Sequence, residues 1–203
     1  MFFWGNSGTE AVEGALKLAR YVTRRPAFVA FVGGFHGRSF GSASVTTSNV
    51  KYRRHYEPML PAVYHAPFPS CFRCPHRRGA ACCDDPFVSL DRLFAHVVPP
   101  DEVAAILVEP ILGEGGYVVP PPDFLPRLRA LCDRHGILLI FDEIQTGFGR
   151  TGEMFACQTF GVTPDVLVLS KAIASGFPLS AVAAGPRLMR RWSAGTHGTT
   201  FGR

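Results

Sequence analysis

Lysine is scarce in this sequence: of 21 basic residues only three, Lys17, Lys51 and Lys171, are lysines, so any chemistry that needs a free side-chain amine has three addresses. Long hydrophobic runs are missing too. No stretch of about 18 uninterrupted apolar residues occurs, which removes a membrane-spanning helix from consideration. The first residues, Met1-Phe2-Phe3-Trp4-Gly5-Asn6, lack the basic leader and long apolar core of a secretory signal. Neither G-x-x-x-x-G-K-[ST] nor G-x-G-x-x-G is present, so the usual nucleotide-binding readings lose their support. Internal repeats are absent. With 47% hydrophobic and 18% charged residues over 203 positions, the chain has the material for one good core and does not read as disordered. A cytoplasmic protein without membrane partners is the expectation. The formal net charge of +5 leaves an anionic partner open.

Short apolar runs occupy positions 28–32, 104–108, 137–141, 166–169 and, more weakly, 181–184, and residues 2–4 look like the end of another. Continuous runs of this length suit strands covered on both faces, as in a parallel sheet. Helical spacing lies between them. Ala11, Ala15, Leu18 and Val22 share one face around 10–21, and Leu125, Leu128, Leu131 and Cys132 share another before a stop at Gly136. Strand and helix alternating in this way predict an α/β layered domain with a mostly parallel sheet flanked by helices. From about 64 to 86 the rhythm breaks into an irregular excursion rich in proline and cysteine. The apolar beginning and the unpunctuated end read as those of a chain cut from something longer.

Polar residues at the strand ends carry more information. In an open α/β sheet, ligands bind beyond the carboxyl ends of the strands. Four successive runs end in reactive groups: Phe35-His36-Gly37-Arg38, then Glu109, then Asp142, then Lys171. One such residue is an ordinary solvated end, but four at equivalent positions predict the rim of an active site. Lys171, between two apolar stretches, is expected to be partly desolvated, which would free its amine as a nucleophile. Amine nucleophiles form Schiff bases with carbonyls, and pyridoxal phosphate is the common cofactor of that kind. It needs a carboxylate at its ring nitrogen, for which Asp142 is the candidate. The bland alternative is a salt bridge from Lys171 to Asp142 or Glu109. Asn6-Ser7-Gly8-Thr9-Glu10 opens a helix, where unpaired N–H groups suit a phosphate, although the same residues are also a normal helix entry.

Six segments together resemble the class III pyridoxal-phosphate aminotransferases. These are Asn6-Ser7-Gly8-Thr9-Glu10-Ala11-Val12-Glu13, Phe35-His36-Gly37-Arg38, Glu109-Pro110-Ile111 with Gly113-Glu114-Gly115-Gly116, the block from Phe141-Asp142-Glu143 to Arg150-Thr151-Gly152, Ser170-Lys171-Ala172, and Thr196-His197-Gly198-Thr199-Thr200-Phe201-Gly202. The likeness runs over essentially the whole chain. It implies the type I fold of pyridoxal-phosphate-dependent transferases, with residues 1–203 as a partial large domain, its central cofactor-binding part. Family members also carry an N-terminal segment before the Asn6 motif and a C-terminal small domain. The family holds 4-aminobutyrate, ornithine and acetylornithine aminotransferases, together with some racemases and decarboxylases.

The resemblance also implies roles. Lys171 would hold the cofactor and shuttle the substrate proton, and Asp142 would pair with the pyridinium nitrogen. Gln145 would hydrogen-bond the ring oxygen, Gly8 and Thr9 would bind phosphate through backbone N–H groups, and Phe35 would stack on the ring with His36 nearby. Thr200 would reach the phosphate of a neighbouring subunit, implying a homodimer. Arg38 matches the arginine that pairs with a substrate carboxylate, and Glu114 a gating glutamate. The implied reaction moves an amino group from an amino acid such as 4-aminobutyrate or ornithine to a 2-oxo acid. Racemisation and a catalytically silent fragment are the alternatives. Substrates are small molecules, with no nucleic-acid partner expected.

The cysteines stand apart from this. Cys71-x-x-Cys74 and Cys82-Cys83 put four thiols within 13 residues, with His65 and His76 nearby. Cys-x-x-Cys is a usual half of a zinc or iron–sulfur site, whereas an adjacent pair is a less usual second half. Reduced thiols or a redox-sensitive disulfide remain the other readings, and no metal is assigned to the site.

Overall fold

A computed structural model describes residues 1–70 and 86–198. In chain order its strands are β1 (Phe2–Gly5), β2 (Ala27–Phe31), β3 (Val63–Ala66), β4 (Val103–Val108), β5 (Leu138–Asp142), β6 (Val166–Leu169) and β7 (Ser180–Ala184). The helices are α1 (Gly8–Thr23), α2 (Phe40–Ser44), α3 (Pro86–His96), α4 (Phe124–His135), α5 (Ala156–Thr159) and α6 (Pro186–Met189). The strands form one sheet in the order β1-β7-β6-β5-β4-β2-β3. From β6 to β3 all neighbours are parallel, while β7 runs antiparallel to both β6 and β1. The expected α/β architecture is therefore present, with an antiparallel margin.

The period-two alternation of strand side chains divides the core into two layers. Phe28, Ala30, Leu107, Ile140, Val168 and Val182 pack on one face against α1. Val29, Phe31, Ile106, Val108, Leu139 and Phe141 pack on the other, against α3 and α4. Because both faces are covered, the parallel strands read as unbroken apolar runs. Helix α1 contributes Ala11, Val12, Ala15, Leu18, Ala19 and Val22 to its layer. It starts at Ser7, whose hydroxyl accepts the N–H of Glu10, and ends at Arg24 in the left-handed conformation (φ 61°). Helix α4 ends at Gly136 (φ 61°), where the absence of a Cβ makes that conformation inexpensive.

The segment expected to be irregular from residue 64 begins differently. Val63–Ala66 forms β3, an edge strand paired with β2 alone and half-buried over most of its length. One covered face gives no continuous apolar run, which is why the pattern passed unrecognised. The four cysteines from Cys71 to Cys83, and Thr200, lie outside the described residues.

Candidate functional site

Parallel strands share a direction, so their carboxyl ends share an edge. β2 leads into the Phe35–Arg38 loop, β4 ends before Glu109, β5 ends on Asp142, and β6 ends before Ser170 and Lys171. β1, antiparallel to β7 and so running in the direction of β6, delivers the N-terminus of α1 to the same edge. A cavity of about 220 Å³ opens there. Gly8, Thr9, Phe35, His36, Arg38, Glu114, Asp142, Gln145 and Lys171 are among the residues that line it. Every predicted site residue within the described part of the chain thus reaches one cavity.

Asp142 sits at its floor. His36 Nδ1 lies 2.8 Å from Asp142 Oδ2, and both side chains are buried. A carboxylate only accepts, so Nδ1 carries the hydrogen. Asp142 Oδ1 accepts the N–H of Ile144 at 3.1 Å, and the N–H of His36 is accepted by Thr46 Oγ1 at 2.9 Å. Glu109, 4% exposed, uses both oxygens on backbone: Oε1 accepts from Phe35 N–H (2.8 Å) and Oε2 from Gly113 N–H (3.0 Å). Burial pushes its carboxyl above the ordinary range. His36 opposes that shift, Asp142 adds to it, and the two N–H groups oppose it.

Glu143 adjoins Asp142 but points to the opposite face, as consecutive strand-end residues do. Its oxygens accept from Thr146 Oγ1 (2.9 Å) and from the N–H groups of Ala156 (2.6 Å) and Cys157 (2.7 Å). It pins the loop between β5 and α5. The sequence reading gave it no role, although two acids in succession at a strand end cannot face one cavity together.

Lys171 departs from expectation. It is exposed, not partly desolvated between apolar neighbours. The reason is local: a 3-10 turn, Lys171–Ala174, follows β6 directly, none of its residues is buried, and Lys171 itself takes φ 48°. Its Nζ donates to Gln145 Oε1, so the salt bridge to Asp142 or Glu109 considered above is not formed. A second cavity of about 880 Å³, lined among others by Tyr117, Arg150 and Thr151, shares Lys171 and Gln145 with the first. The other two lysines are engaged elsewhere. Lys17 Nζ donates to His197 O (3.1 Å), and Lys51 Nζ lies 4.9 Å over the ring of Tyr52.

At the N-terminus of α1 the helical ladder begins with Ala11 N–H to Ser7 O, which leaves the first-turn N–H groups of Gly8 and Thr9 for a ligand. The Thr9 side chain is already committed. Its Oγ1 accepts the N–H groups of Arg38 (3.3 Å) and Ser39 (3.2 Å) and meets Ser39 Oγ at 2.7 Å. Gly37, at φ 138°, lets this loop come close: a Cβ there would stand 2.5 Å from both Thr9 Oγ1 and Ser42 Oγ.

Phe35 packs against Tyr52, ring centroids 5.0 Å apart. The Tyr52 hydroxyl donates to Glu114 Oε2 at 3.2 Å, and Gln145 Nε2 donates to Tyr117 Oη at 3.4 Å. Neither tyrosine was singled out in the sequence. Arg38 is exposed, and its guanidinium has no hydrogen-bond or ion-pair partner among the described residues. It also lines a groove of about 320 Å³ with Lys51, Tyr52 and Tyr56. Cys132 and Cys157 are buried and half-buried, and burial pushes their thiols up to about 12 and about 11.

The family model described as aminotransferase class-III matches residues 1–203. An alanine/serine racemase of Pyrococcus horikoshii is 42% identical over 194 residues, covering 92% of this chain and 40% of the racemase. A 4-aminobutyrate aminotransferase of Escherichia coli K12 is also 42% identical, over 195 residues, covering 96% of this chain and 44% of its own length. Among solved structures, an amine transaminase from an uncultivated Pseudomonas species, in its pyridoxal-phosphate-bound form, superposes with a TM-score of 0.90. It is 35% identical, and the match covers 98% of this chain and 48% of that one. The chain therefore spans less than half the length of these relatives.

Proposed function

The chain belongs to the class III aminotransferases, and we propose that residues 1–203 form the cofactor-binding part of an enzyme that transfers an amino group from an amino acid to a 2-oxo acid. The observation that carries this reading is the meeting of the Lys171 amine, the Asp142 carboxylate and the open first turn of α1 in one cavity. Donors of 4-aminobutyrate or ornithine type are the substrates proposed, with a homodimer as the working form.

Members of this family use pyridoxal phosphate. The donor set fits that group: a primary amine, a carboxylate already held by an imidazole, an aromatic ring, and unpaired N–H groups at a helix N-terminus. When bound, the cofactor supplies an electron-poor ring that accepts the electron pair left at a substrate carbon as its hydrogen departs. The chain supplies the rest. Gly8 and Thr9 would offer N–H groups to the phosphate, aided by the helix dipole. Asp142, oriented by His36, would accept from the ring nitrogen and favour its protonated form. Phe35 would lie against the ring, and Gln145 would donate to its oxygen. The amine of Lys171 would anchor the carbonyl and then take and return the proton at the substrate carbon that bears the amino group. Arg38 offers a two-pronged donor to a substrate carboxylate. Glu114 lies close by as a second polar handle, and Thr200 would serve the phosphate of the partner subunit.

A second reading is racemisation, favoured by one fact: the racemase relative matches this chain at the same 42% identity as the aminotransferase. Both begin with loss of a proton from the carbon that bears the amino group, and they differ in where the proton is returned and in the fate of the nitrogen. Incubating the protein and pyridoxal phosphate with 4-aminobutyrate or ornithine and a 2-oxo acid, and separately with one enantiomer of alanine, separates them. Net formation of a new amino acid supports transamination, and loss of optical activity without it supports racemisation. Failure to bind pyridoxal phosphate at all would defeat both.

A further inference from the structure

Gln145 has two different ends, and only one suits the role proposed for it. Its amide nitrogen donates and its amide oxygen accepts, so a half-turn of the amide would present the wrong atom to the cofactor's ring oxygen. Two neighbours decide which way the amide faces. A lysine ammonium has only hydrogens to give, so the contact with Lys171 Nζ claims Oε1. Nε2 is then the atom that meets Tyr117, whose hydroxyl oxygen accepts from it at 3.4 Å. Nε2 carries two hydrogens. With one directed at Tyr117, the other is the one that Gln145 would give to the ring oxygen.

The loop that bears Tyr117 holds it at this contact. The N–H groups of Gly116 and Tyr117 both donate to Gly113 O, at 3.0 and 3.1 Å, and Leu112 and Val118 exchange two backbone hydrogen bonds of 3.1 Å. Within this turn Tyr117 takes φ 53°, a conformation uncommon for a bulky residue. Strain of that kind persists where the surroundings impose it, and it clusters at sites with a task. Gly113 serves the same contact from below: a Cβ there would stand 3.0 Å from the Gln145 amide carbon and 3.1 Å from Nε2. Tyr117, Gln145 and Lys171 line one cavity together.

We propose that Tyr117 is a positioning residue whose hydroxyl fixes the Gln145 amide with its oxygen toward Lys171 and its nitrogen ready to donate to the ring oxygen. The inference rests on the reading of Gln145 as that donor. A hydrogen given to the ring oxygen draws electron density from it, so the cofactor held by Lys171 loses its proton at a lower pH. Removing the Tyr117 hydroxyl lets the amide turn over, weakens the donation and moves that titration to higher pH. The contact is long, so the effect is about two- to five-fold, or about 0.3–0.7 pH unit.

The test joins two readouts on the purified protein. One is the Gln145 side-chain amide signal in proton–nitrogen correlation NMR without cofactor. The other is the pH midpoint of the visible absorbance band with pyridoxal phosphate added. Wild type, Tyr117→Phe, Gln145→Leu and the double variant are compared, and the signal lost in Gln145→Leu identifies the amide. Tyr117→Phe keeps the ring and should shift that amide signal and raise the band midpoint by about 0.3–0.7 unit. In the Gln145→Leu background the same substitution should add nothing, because Tyr117 acts through the amide. An unmoved amide signal, or an equal midpoint shift in the Leu background, would overturn the proposal. A midpoint moved by Gln145→Leu but not by Tyr117→Phe would defeat the role of Tyr117 alone. One moved by neither would defeat the reading of Gln145 and this role with it, and absence of the band from wild type would defeat the proposed function as well.

Discussion

His36 Nδ1 donates to Asp142 Oδ2 across 2.8 Å, with side chains only 1% and 3% exposed. The pair is buried at the cavity floor, and each partner depends on the other. His36→Leu keeps apolar bulk but leaves one oxygen of a buried carboxylate without a donor. The expected cost is about 1–3 kcal/mol of stability, seen as a lower melting temperature of the cofactor-free protein. Weaker binding of pyridoxal phosphate should accompany it in a spectral titration.

Asp142→Ala removes the acceptor for the ring nitrogen while leaving the Lys171 amine in place. Turnover of the full enzyme should fall by at least about 100-fold, the size of effect seen when a preorganised charge is removed from a reaction centre. Steady-state rates with saturating cofactor make the comparison. Unchanged kcat would remove Asp142 from the chemistry.

Glu109 links stability to pH. Its carboxyl is raised above the ordinary 4.5 chiefly by burial, so the folded protein holds this proton more tightly than the unfolded chain. The stability it contributes is fully present below that ordinary value and is lost as pH rises through the raised one. Glu109→Gln should flatten that part of the melting-temperature profile above about pH 4.5. It should also lower the profile throughout, by about 1–3 kcal/mol, because an amide can accept from only one of the Phe35 and Gly113 N–H groups through its oxygen. Melting curves measured across this pH range for both proteins provide the check.

Gly37 tests the close approach of the Phe35–Arg38 loop to α1. With φ at 138° and two hydroxyl oxygens 2.5 Å from the position of a Cβ, Gly37→Ala meets both backbone strain and collision. A loss of about 1–3 kcal/mol is expected, and the displaced loop should weaken both cofactor and carboxylate binding. Gly149, also at positive φ but with nothing near its missing Cβ, serves as the comparison. Gly149→Ala should show the backbone cost alone in the same thermal melts.

Much of this arrangement was legible in the sequence, for physical reasons. β2, β4, β5 and β6 announced themselves because burial on both faces demands unbroken apolar residues, and their parallel course meant that the residues just past them had to converge. β3 lacked that signature because it is a half-buried edge strand. Lys171 was placed correctly along the chain but wrongly in depth: its apolar neighbours suggested burial, whereas the turn at φ 48° carries it to the open rim. Tyr52 and Tyr117 were invisible for another reason. Tyr52 meets Glu114 across 62 positions of sequence, and Tyr117 meets Gln145 across 28, contacts that no local pattern encodes.

The central claim is that Lys171 is the amine that holds the cofactor, and lysine scarcity makes it directly testable. Pyridoxal phosphate is added to the purified protein, the adduct is fixed with borohydride, and the digest is mapped by mass spectrometry. A visible absorbance band is expected before reduction, and afterwards the reduced cofactor on the peptide containing Lys171. Label on Lys17 or Lys51 with Lys171 unmodified would contradict it.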